Sequence, residues 1–341
     1  MKKNRITLII VLVLSIVAGY LWFNNKTGTI KKELKDFAVK DTANVSKIFM
    51  ADGIGRTVTL ERKTNSIWTV NGNAEARKDG IDLLLNTISQ LEVKSPVSRA
   101  SLDHVVSNMA GNSTKIEIYM GKDKPAKVYY VGGATPDNMG TFMLLENSSV
   151  PFVMFIPGHR GYLSSRYFID ETEWKSTALY RYNPNEIEKI EINYVKSPEE
   201  SFAIENISTR KPRLKSIQDN KYLEKIDTLS IIQFVSNFRH INFEFYANDT
   251  PLTTKDSIMD FCKNFSIEIT DIHGKVNSFT GYNKPMKEGS TDLEGNPITF
   301  DMDRMYGLTN EKDFVIIQFF VFNELTPRIN YFLNQDTVKR L

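Results

Sequence analysis

The chain carries one hydrophobic pattern twice, and this repeat constrains its fold more than any other feature. Apolar residues spaced i, i+3, i+4, i+7 and i+10 begin at Ile81 and recur with an unchanged offset from Ile231. The first set is Ile81, Leu84, Leu85, Ile88 and Leu91, and the second is Ile231, Phe234, Val235, Phe238 and Ile241. This spacing places five side chains on one helical face, so it predicts one amphipathic helix in each half.

Matching strands accompany the two helices in the same order. The segments 45–50 and 187–192 alternate apolar and polar residues, as do 57–61 and 201–205, which predicts a hairpin at the start of each half. Further alternating segments follow each helix. The late segment FVIIQFFVF, from Phe314, is far shorter than the roughly 20 residues of a membrane helix, and its β-branched and aromatic content predicts a central strand.

Strands joined by short turns favour antiparallel sheets, so the predicted fold class is α+β. We expect two tandem repeats, each an antiparallel sheet with helices packed on one face. The first repeat is placed at residues 37–173 and the second at 174–341. Ser101 and Thr254 each precede an Asp by two residues, and we predict that they cap a second, short helix in each half.

An uncharged run, ITLIIVLVLSIVAGYLWF, covers residues 6–23. A helix of that length spans about 27 Å, close to the hydrocarbon core of a bilayer. A cleaved signal peptide is the alternative, but bulky Ile16 makes the candidate site before Gly19 poor, so a permanent anchor is favoured. The predicted anchor residues are Ile6, Leu8, Ile10, Leu12, Leu14, Val17, Leu21, Trp22 and Phe23.

Basic residues flank this run on both sides, so local charge does not decide its orientation. Long domains cross a membrane largely regardless of charge, whereas a short basic tail is hard to move across. We therefore predict a cytoplasmic tail at residues 1–5, a transmembrane helix at 6–23 and a juxtamembrane linker at 24–36 that rests on lipid headgroups. Everything after Asn24 is expected outside.

Composition and motifs point to no catalytic chemistry. The net charge is +2 with both signs interspersed, which disfavours nucleic acid as a partner, and the single cysteine, Cys262, excludes an intramolecular disulfide. No GxSxG, HExxH or Walker sequence is present, so no catalytic residue, metal ligand or cofactor site is predicted. His159, in PGHRGY, is interpreted as part of a solvated loop, and Asp301 and Asp303 as a solvated strand face rather than a cation site.

Two surface features leave alternatives open. The rings of Trp68, Trp174, Tyr129 and Tyr130 belong either to the core or to a surface that stacks sugars, which would make the chain a glycan- or peptide-binding ectodomain. The basic run from Arg210 to Lys215 is interpreted as an exposed sheet edge, with contact to an anionic polymer or lipid as the alternative.

Several segments together resemble a known family. The combination of the apolar run, IWTVNG at 67–72, the LLLNTISQLE helix and the VGGATPDNMGTFMLLE hairpin at 131–146 resembles the domain-of-unknown-function 4340 family. The second half lacks a counterpart of Trp68 and of the Gly-Gly hairpin. The resemblance implies a membrane-anchored bacterial envelope protein, in some members associated with ABC export systems, and it brings no catalytic residues to transfer.

These observations predict a single-pass inner-membrane protein with most of its chain in the periplasm. Its expected function is that of a non-catalytic binding or scaffold module in an envelope or ABC-transporter-associated assembly. A ligand-binding ectodomain, or a hydrolase without a recognisable motif, is the alternative. The expected partners are membrane lipid, through the N-terminal helix, and other envelope proteins.

Overall fold

The structure is a computed structural model that describes residues 15–16 and 35–333. No helix within these ranges is both long and apolar enough to cross a membrane. The predicted anchor, including all nine residues assigned to it, lies outside the described residues apart from Ser15 and Ile16. The chain divides into two compact units, Met1–Ser176 and Thr177–Leu341.

The first unit is built on a nine-stranded antiparallel sheet with the order β4-β3-β2-β1-β6-β7-β8-β9-β5. Its strands are β1 (Lys47–Asp52), β2 (Thr57–Arg62), β3 (Trp68–Val70), β4 (Ala74–Glu75), β5 (Glu92–Pro96), β6 (Thr114–Tyr119), β7 (Lys127–Ala134), β8 (Thr141–Leu145) and β9 (Phe152–Phe155). Its helices are α1 (Lys78–Gln90), α2 (Leu102–Asn112) and the single turn α3 (Glu171–Trp174).

The second unit has a sheet of the same size and the corresponding order, β14-β13-β12-β11-β17-β18-β19-β20-β16, beside a small sheet of β10 and β15. Its strands are β10 (Ala178–Tyr180), β11 (Ile187–Tyr194), β12 (Phe202–Glu205), β13 (Arg213–Ser216), β14 (Lys221–Tyr222), β15 (Ile241–Asn242), β16 (Phe245–Tyr246), β17 (Lys263–Asp271), β18 (Val276–Pro285), β19 (Phe300–Thr309) and β20 (Asp313–Gln318). Its helices are α4 (Thr228–Ser236), α5 (Leu252–Phe261) and the short α6 (Phe319–Phe322). The α+β class is therefore confirmed, with two nine-stranded antiparallel sheets.

The helices of each unit pack on both faces of its sheet, and the expectation that they share one face is wrong. In the first unit, α1 packs on Tyr129, Met143 and Leu145, whereas α2 packs on the alternate residues Tyr130 and Leu144. Successive side chains of a strand point to opposite faces, so the two helices lie on opposite sides. In the second unit, α4 and α5 divide the two faces in the same way. Strands with apolar runs, such as FMLL at 142–145, require cover on both sides.

The predicted stripe of α1 is buried along its length, apart from Leu85, which is half-buried. The stripe of α4 is buried as well, but the helix ends at Ser236, so that Phe238 lies in a 3-10 turn and Ile241 in β15. The predicted strand from Phe314 also ends early, at Gln318, because Phe319–Phe322 forms a helical turn. For the two stripes, the sequence therefore predicts which residues are buried better than it predicts the helix, turn or strand in which each residue lies.

Two further details differ from expectation. Neither predicted cap forms: Ser101 makes no side-chain cap to α2, and Thr254 lies inside α5, which begins after Pro251. Trp174, assigned to the second repeat, belongs to the core of the first unit. Its ring stacks on Phe168 at 4.1 Å between centroids, and its indole N–H donates to the Phe168 carbonyl. Because of these contacts, the first unit extends to Ser176.

The packing of α1 is testable with adjacent leucines. Leu84 is buried in the core that also holds Trp68 and Trp174, whereas Leu83 is exposed on the opposite side of the helix. Leu84→Ala is expected to lower the free energy of unfolding by about 2–5 kcal/mol because it leaves a cavity, and Leu83→Ala to change it by less than about 0.5 kcal/mol. Urea unfolding followed by tryptophan fluorescence measures both. Equal effects of the two changes would contradict the assigned helix face.

Candidate functional site

An open groove of about 840 Å³ lies beside α2 in the first unit. We call it the α2 groove. One wall is α2, another is the end of β5 with the segment that follows it, and a third is the turn between β7 and β8. Its floor is apolar and consists of Val97, Val105, Met109, Phe142 and Val153.

The groove exists because α2 covers only part of its sheet face. Val105 and Met109 point from α2 onto the sheet, and α2 packs mainly over β7. Close approach depends on Gly132 in β7, where an added Cβ would lie 2.8 Å from Cγ of Met109. Phe142 and Val153, on the neighbouring strands, stay half-buried at the floor of the groove.

Polar side chains form the rim of the groove. They are Ser95, Ser98, Ser101, His104, Asn108, Asn112 and Thr135. Ser98 and Ser101 hydroxyls lie 3.0 Å apart, and the Asn108 amide nitrogen lies 3.1 Å from Nε2 of His104. Hydroxyl and amide groups both donate and accept hydrogen bonds, so this rim suits a ligand rich in such groups.

One end of the groove is closed by the turn that carries Asp137. Its carboxylate accepts hydrogen bonds from the Thr135 hydroxyl and from the Met139 backbone N–H, and it lies 3.8 Å from Nζ of Lys94. The Thr135 hydroxyl, more than the backbone N–H, holds the pKa of Asp137 below its ordinary value. The Gly-rich turn thus leads from strand to strand, as predicted, and fixes a carboxylate at the rim.

The structure does not gather the residues considered for chemistry. His159 lies beside Arg166, whose guanidinium also donates to Thr87, and His104 lies on α2. Asp301 pairs with Lys284 at 2.7 Å, while Asp292 accepts hydrogen bonds within its own turn. Across the described ranges, no group of three or more His, Cys, Asp or Glu side chains is placed to hold a metal ion.

Of the two alternatives for the four aromatic rings, the core is confirmed for three of them, Trp68, Trp174 and Tyr129. Trp68, Trp174 and Tyr129 are each at most 4% exposed. The Tyr129 hydroxyl lies 3.3 Å from that of Tyr167, and burial raises the pKa of Tyr129 well above its ordinary value. Tyr130 is half-buried beside α2. Rings in these positions offer no face to a saccharide.

Cys262 and the basic run have structural contacts. Cys262 is half-buried against the α5 cluster, and burial raises the pKa of its thiol. Within the basic run, Arg213 lies over the ring of Tyr222, with 3.5 Å between its guanidinium carbon and the ring centroid. The strand that carries it, β13, is not an edge, because β14 pairs beyond it.

Sequence reasoning missed the α2 groove, although one signal for it was present. The alternation of Phe142 and Leu144 with Met143 and Leu145 marks strands that are apolar on both faces. Such strands indicate that a second helix covers the sheet, but they do not predict how far that helix extends over it.

Comparison with known protein families matches residues 68–257, more than half of the chain, to a domain of unknown function (DUF4340). The matched region begins at Trp68 and ends within α5 of the second unit. Comparisons with curated proteins and with solved structures give no match.

The turn that closes the groove predicts a pH effect. Because hydrogen bonding lowers the pKa of Asp137 in the folded protein, its stabilising contribution is present above pH 3.8, its ordinary value, and is lost as pH falls through the folded value. Thr135→Val is expected to raise this pKa towards 3.8, as measured by carbon NMR titration of the carboxyl group. Thr57→Val, at an exposed position of β2, is the control and should leave it unchanged. An unshifted Asp137 pKa in Thr135→Val would contradict this hydrogen bond.

Proposed function

The chain belongs to the DUF4340 family, and from this premise we propose that it is a non-catalytic binding protein of the bacterial envelope. In this proposal, residues 6–23 anchor the chain in the inner membrane as a single pass, and both units lie in the periplasm. The α2 groove then receives an extended segment of a partner protein in an envelope or ABC-transporter-associated assembly.

The observation that carries the binding proposal is the pairing of an apolar floor with a polar rim whose two charged residues, Lys94 and Asp137, have opposite signs and lie 3.8 Å apart. Apolar grooves with a few convergent polar groups are typical of ligand sites. The rim offers hydroxyl and amide groups that match the N–H and C=O groups of a peptide backbone, and the floor accepts its apolar side chains. A protein segment is therefore favoured over a glycan, since three of the four rings considered for sugar stacking are buried.

The edge strand β5 adds a second way to bind such a segment. The other edge strands of the two nine-stranded sheets, β4, β14 and β16, have two residues each, whereas β5 has five. An edge strand presents unpaired backbone N–H and C=O groups to which an extended peptide can add. Because the end of β5 is also a wall of the groove, a peptide paired with it would lie along the polar rim.

The position where the chain enters the first unit is consistent with a role near the membrane. Phe37 is buried against Tyr129 and Phe152, and Asp36 pairs with Lys127. The linker between Phe23 and Phe37 can extend over at most about 50 Å. If the apolar run stays in the bilayer, the first unit and its partner are held within that distance of it.

The groove proposal predicts a specific crosslink. A photoreactive benzoylphenylalanine at Ser95, an exposed groove residue, is expected to crosslink in cells to a peptide segment of another envelope protein, identified by mass spectrometry. Gly133→Trp should abolish this adduct by filling the groove, since a Cβ at Gly133 meets no atom within 4 Å.

Two matched controls accompany the crosslink. Gly111→Trp adds the same ring at another unobstructed glycine, outside the groove lining, and should retain the adduct. The crosslinker at Glu92, on the same strand but outside the lining, should give little of it. An adduct that survives Gly133→Trp, or that is equally strong from Glu92, would refute the groove as the binding site.

The anchor predicts behaviour on membrane fractionation. The intact chain is expected to remain with membranes after alkaline carbonate washing, because about 18 apolar residues suffice to span the hydrocarbon core. Deletion of residues 6–23 should remove this retention. Mature protein in the soluble periplasmic fraction with a new N-terminus near Gly19, or a C-terminus accessible only from the cytosol, would contradict the proposed topology.

A further inference from the structure

The second unit contains a separate cavity of about 370 Å³ between α4 and the turn that joins β12 to β13. We call it the arginine pocket. Ile207, Ile231 and Val235 form a buried apolar floor, and Ile232, 52% exposed, lies at its mouth. Two arginines, Arg210 from the turn and Arg239 from the end of the α4 segment, also line it, together with Pro184, Asn185, Ser208 and Pro212.

The side chains of both arginines are exposed. Neither Arg210 nor Arg239 makes a side-chain hydrogen bond or an ion pair with any residue in the described part of the chain. Carboxylates near the pocket are already engaged: Glu188 accepts a hydrogen bond from the Ser208 hydroxyl, and Glu186 accepts one from a backbone N–H of its own turn. The two positive charges over an apolar floor are therefore free to pair with an external anion.

The first unit has a smaller pocket at the corresponding place, of about 240 Å³, and Arg62 and Trp68 lie in its lining. There the Arg62 guanidinium donates to the carbonyls of Val45 and Thr42 at 2.7 and 2.8 Å, and to that of Asn65 at 3.3 Å. It also lies 4.7 Å from the ring of Trp68. The arginine of the first unit is thus committed to intramolecular contacts.

Strand register identifies what replaces this pair in the second unit. Ile48 pairs with Leu60 in the first sheet as Ile190 pairs with Ile204 in the second. Arg62 follows Leu60 by two residues and Asn206 follows Ile204 by two, so Asn206 occupies the position that corresponds to Arg62. Across the hairpin, where the first unit has Trp68, the second has Pro212. The shorter side chains of Asn206 and Pro212 therefore replace the pair formed by Arg62 and Trp68.

The remaining changes add positive charge and apolar surface. Ile232 occupies the α4 position that matches Asp82 in α1, so the mouth has gained an apolar side chain and lost a carboxylate. Arg210 has a φ of 57°, in the left-handed region that favours Gly or Asn.

We propose that the arginine pocket binds a partner-protein segment that carries an acidic side chain next to an apolar one. The guanidinium groups of Arg210 and Arg239 bind the carboxylate, and the apolar side chain packs on Ile231, Ile232 and Val235. Charge-assisted hydrogen bonds from a guanidinium to a carboxylate are among the strongest in proteins, and an adjacent apolar floor strengthens them by excluding water. This site is distinct from the α2 groove and does not depend on it.

The test uses the full-length chain in a non-ionic detergent and two fluorescein-labelled peptides, GLELGLELG and its neutral counterpart GLQLGLQLG. Fluorescence anisotropy is expected to show binding of the acidic peptide, at least about tenfold weaker binding of the neutral one, and weakening at about 0.5 M salt. The double variant Arg210→Asn/Arg239→Gln should weaken binding of the acidic peptide at least about tenfold. Asn suits the left-handed conformation at position 210, so the fold is retained.

The matched control, Lys211→Gln/Lys221→Gln, removes the same charge from exposed residues outside the lining and should change binding less than about twofold. Gly133→Trp, which fills the α2 groove, should leave it unchanged. The proposal is overturned if both peptides bind alike, if the lysine pair matters as much as the arginine pair, or if the acidic peptide does not bind at about 1 mM. Loss of binding to phosphatidylglycerol vesicles in the arginine variant, without any peptide binding, would instead identify a membrane surface as the occupant.

Discussion

The constraint on which each unit depends is the alternation of side chains along strands that are apolar on both faces. In β8, Met143 and Leu145 pack towards α1, while Phe142 and Leu144 face α2. Burying only one of these sets would leave the other exposed to water, at a cost of about 25 cal/mol for each Å² of apolar surface. The second helix is therefore a requirement of the sheet, and the space that it leaves uncovered becomes the α2 groove.

The alternation of side chains along these strands also determines how much of the fold the sequence could predict. The stripes beginning at Ile81 and Ile231 predicted the helices that cover the main cores, because their period depends only on local geometry. The side of the sheet on which α2 lies could not be derived from α2 itself, whose apolar face is narrow. It depends on which residues of β7, β8 and β9 point outwards, and hence on register. At Phe319–Phe322 the apolar run predicted a strand, but such a run suits a short helical turn equally well.

The candidate sites were harder to predict than the fold for a related reason. The α2 groove is formed by residues from β5, α2, β7, β8 and β9, which no spacing rule connects. The arginine pocket combines Arg210, already noted in a basic run, with Arg239, which is distant in sequence. Each site exists because a contact is absent. In the first unit, α2 is too short to cover its sheet face, and in the second, small side chains replace the pair formed by Arg62 and Trp68. Composition and periodicity do not record missing contacts.

Comparison of the two sheets suggests how one fold came to offer two different cavities. Phe142 pairs with Val153 in the first sheet as Tyr306 pairs with Ile316 in the second, so these residues occupy corresponding positions on the outer face. In the second unit, the ring of Tyr306 stacks on Phe314, with 4.8 Å between centroids, and covers the surface that corresponds to the groove floor.

The first unit, in turn, places Arg62 and Trp68 in its helix-side pocket, which measures about 240 Å³, whereas the corresponding pocket of the second unit measures about 370 Å³. Aromatic side chains at different positions, Tyr306 in one unit and Trp68 in the other, thus contribute to the difference between the two surfaces. The two cavities also differ in charge, so they favour different segments: a neutral extended one in the first unit and an acidic one in the second.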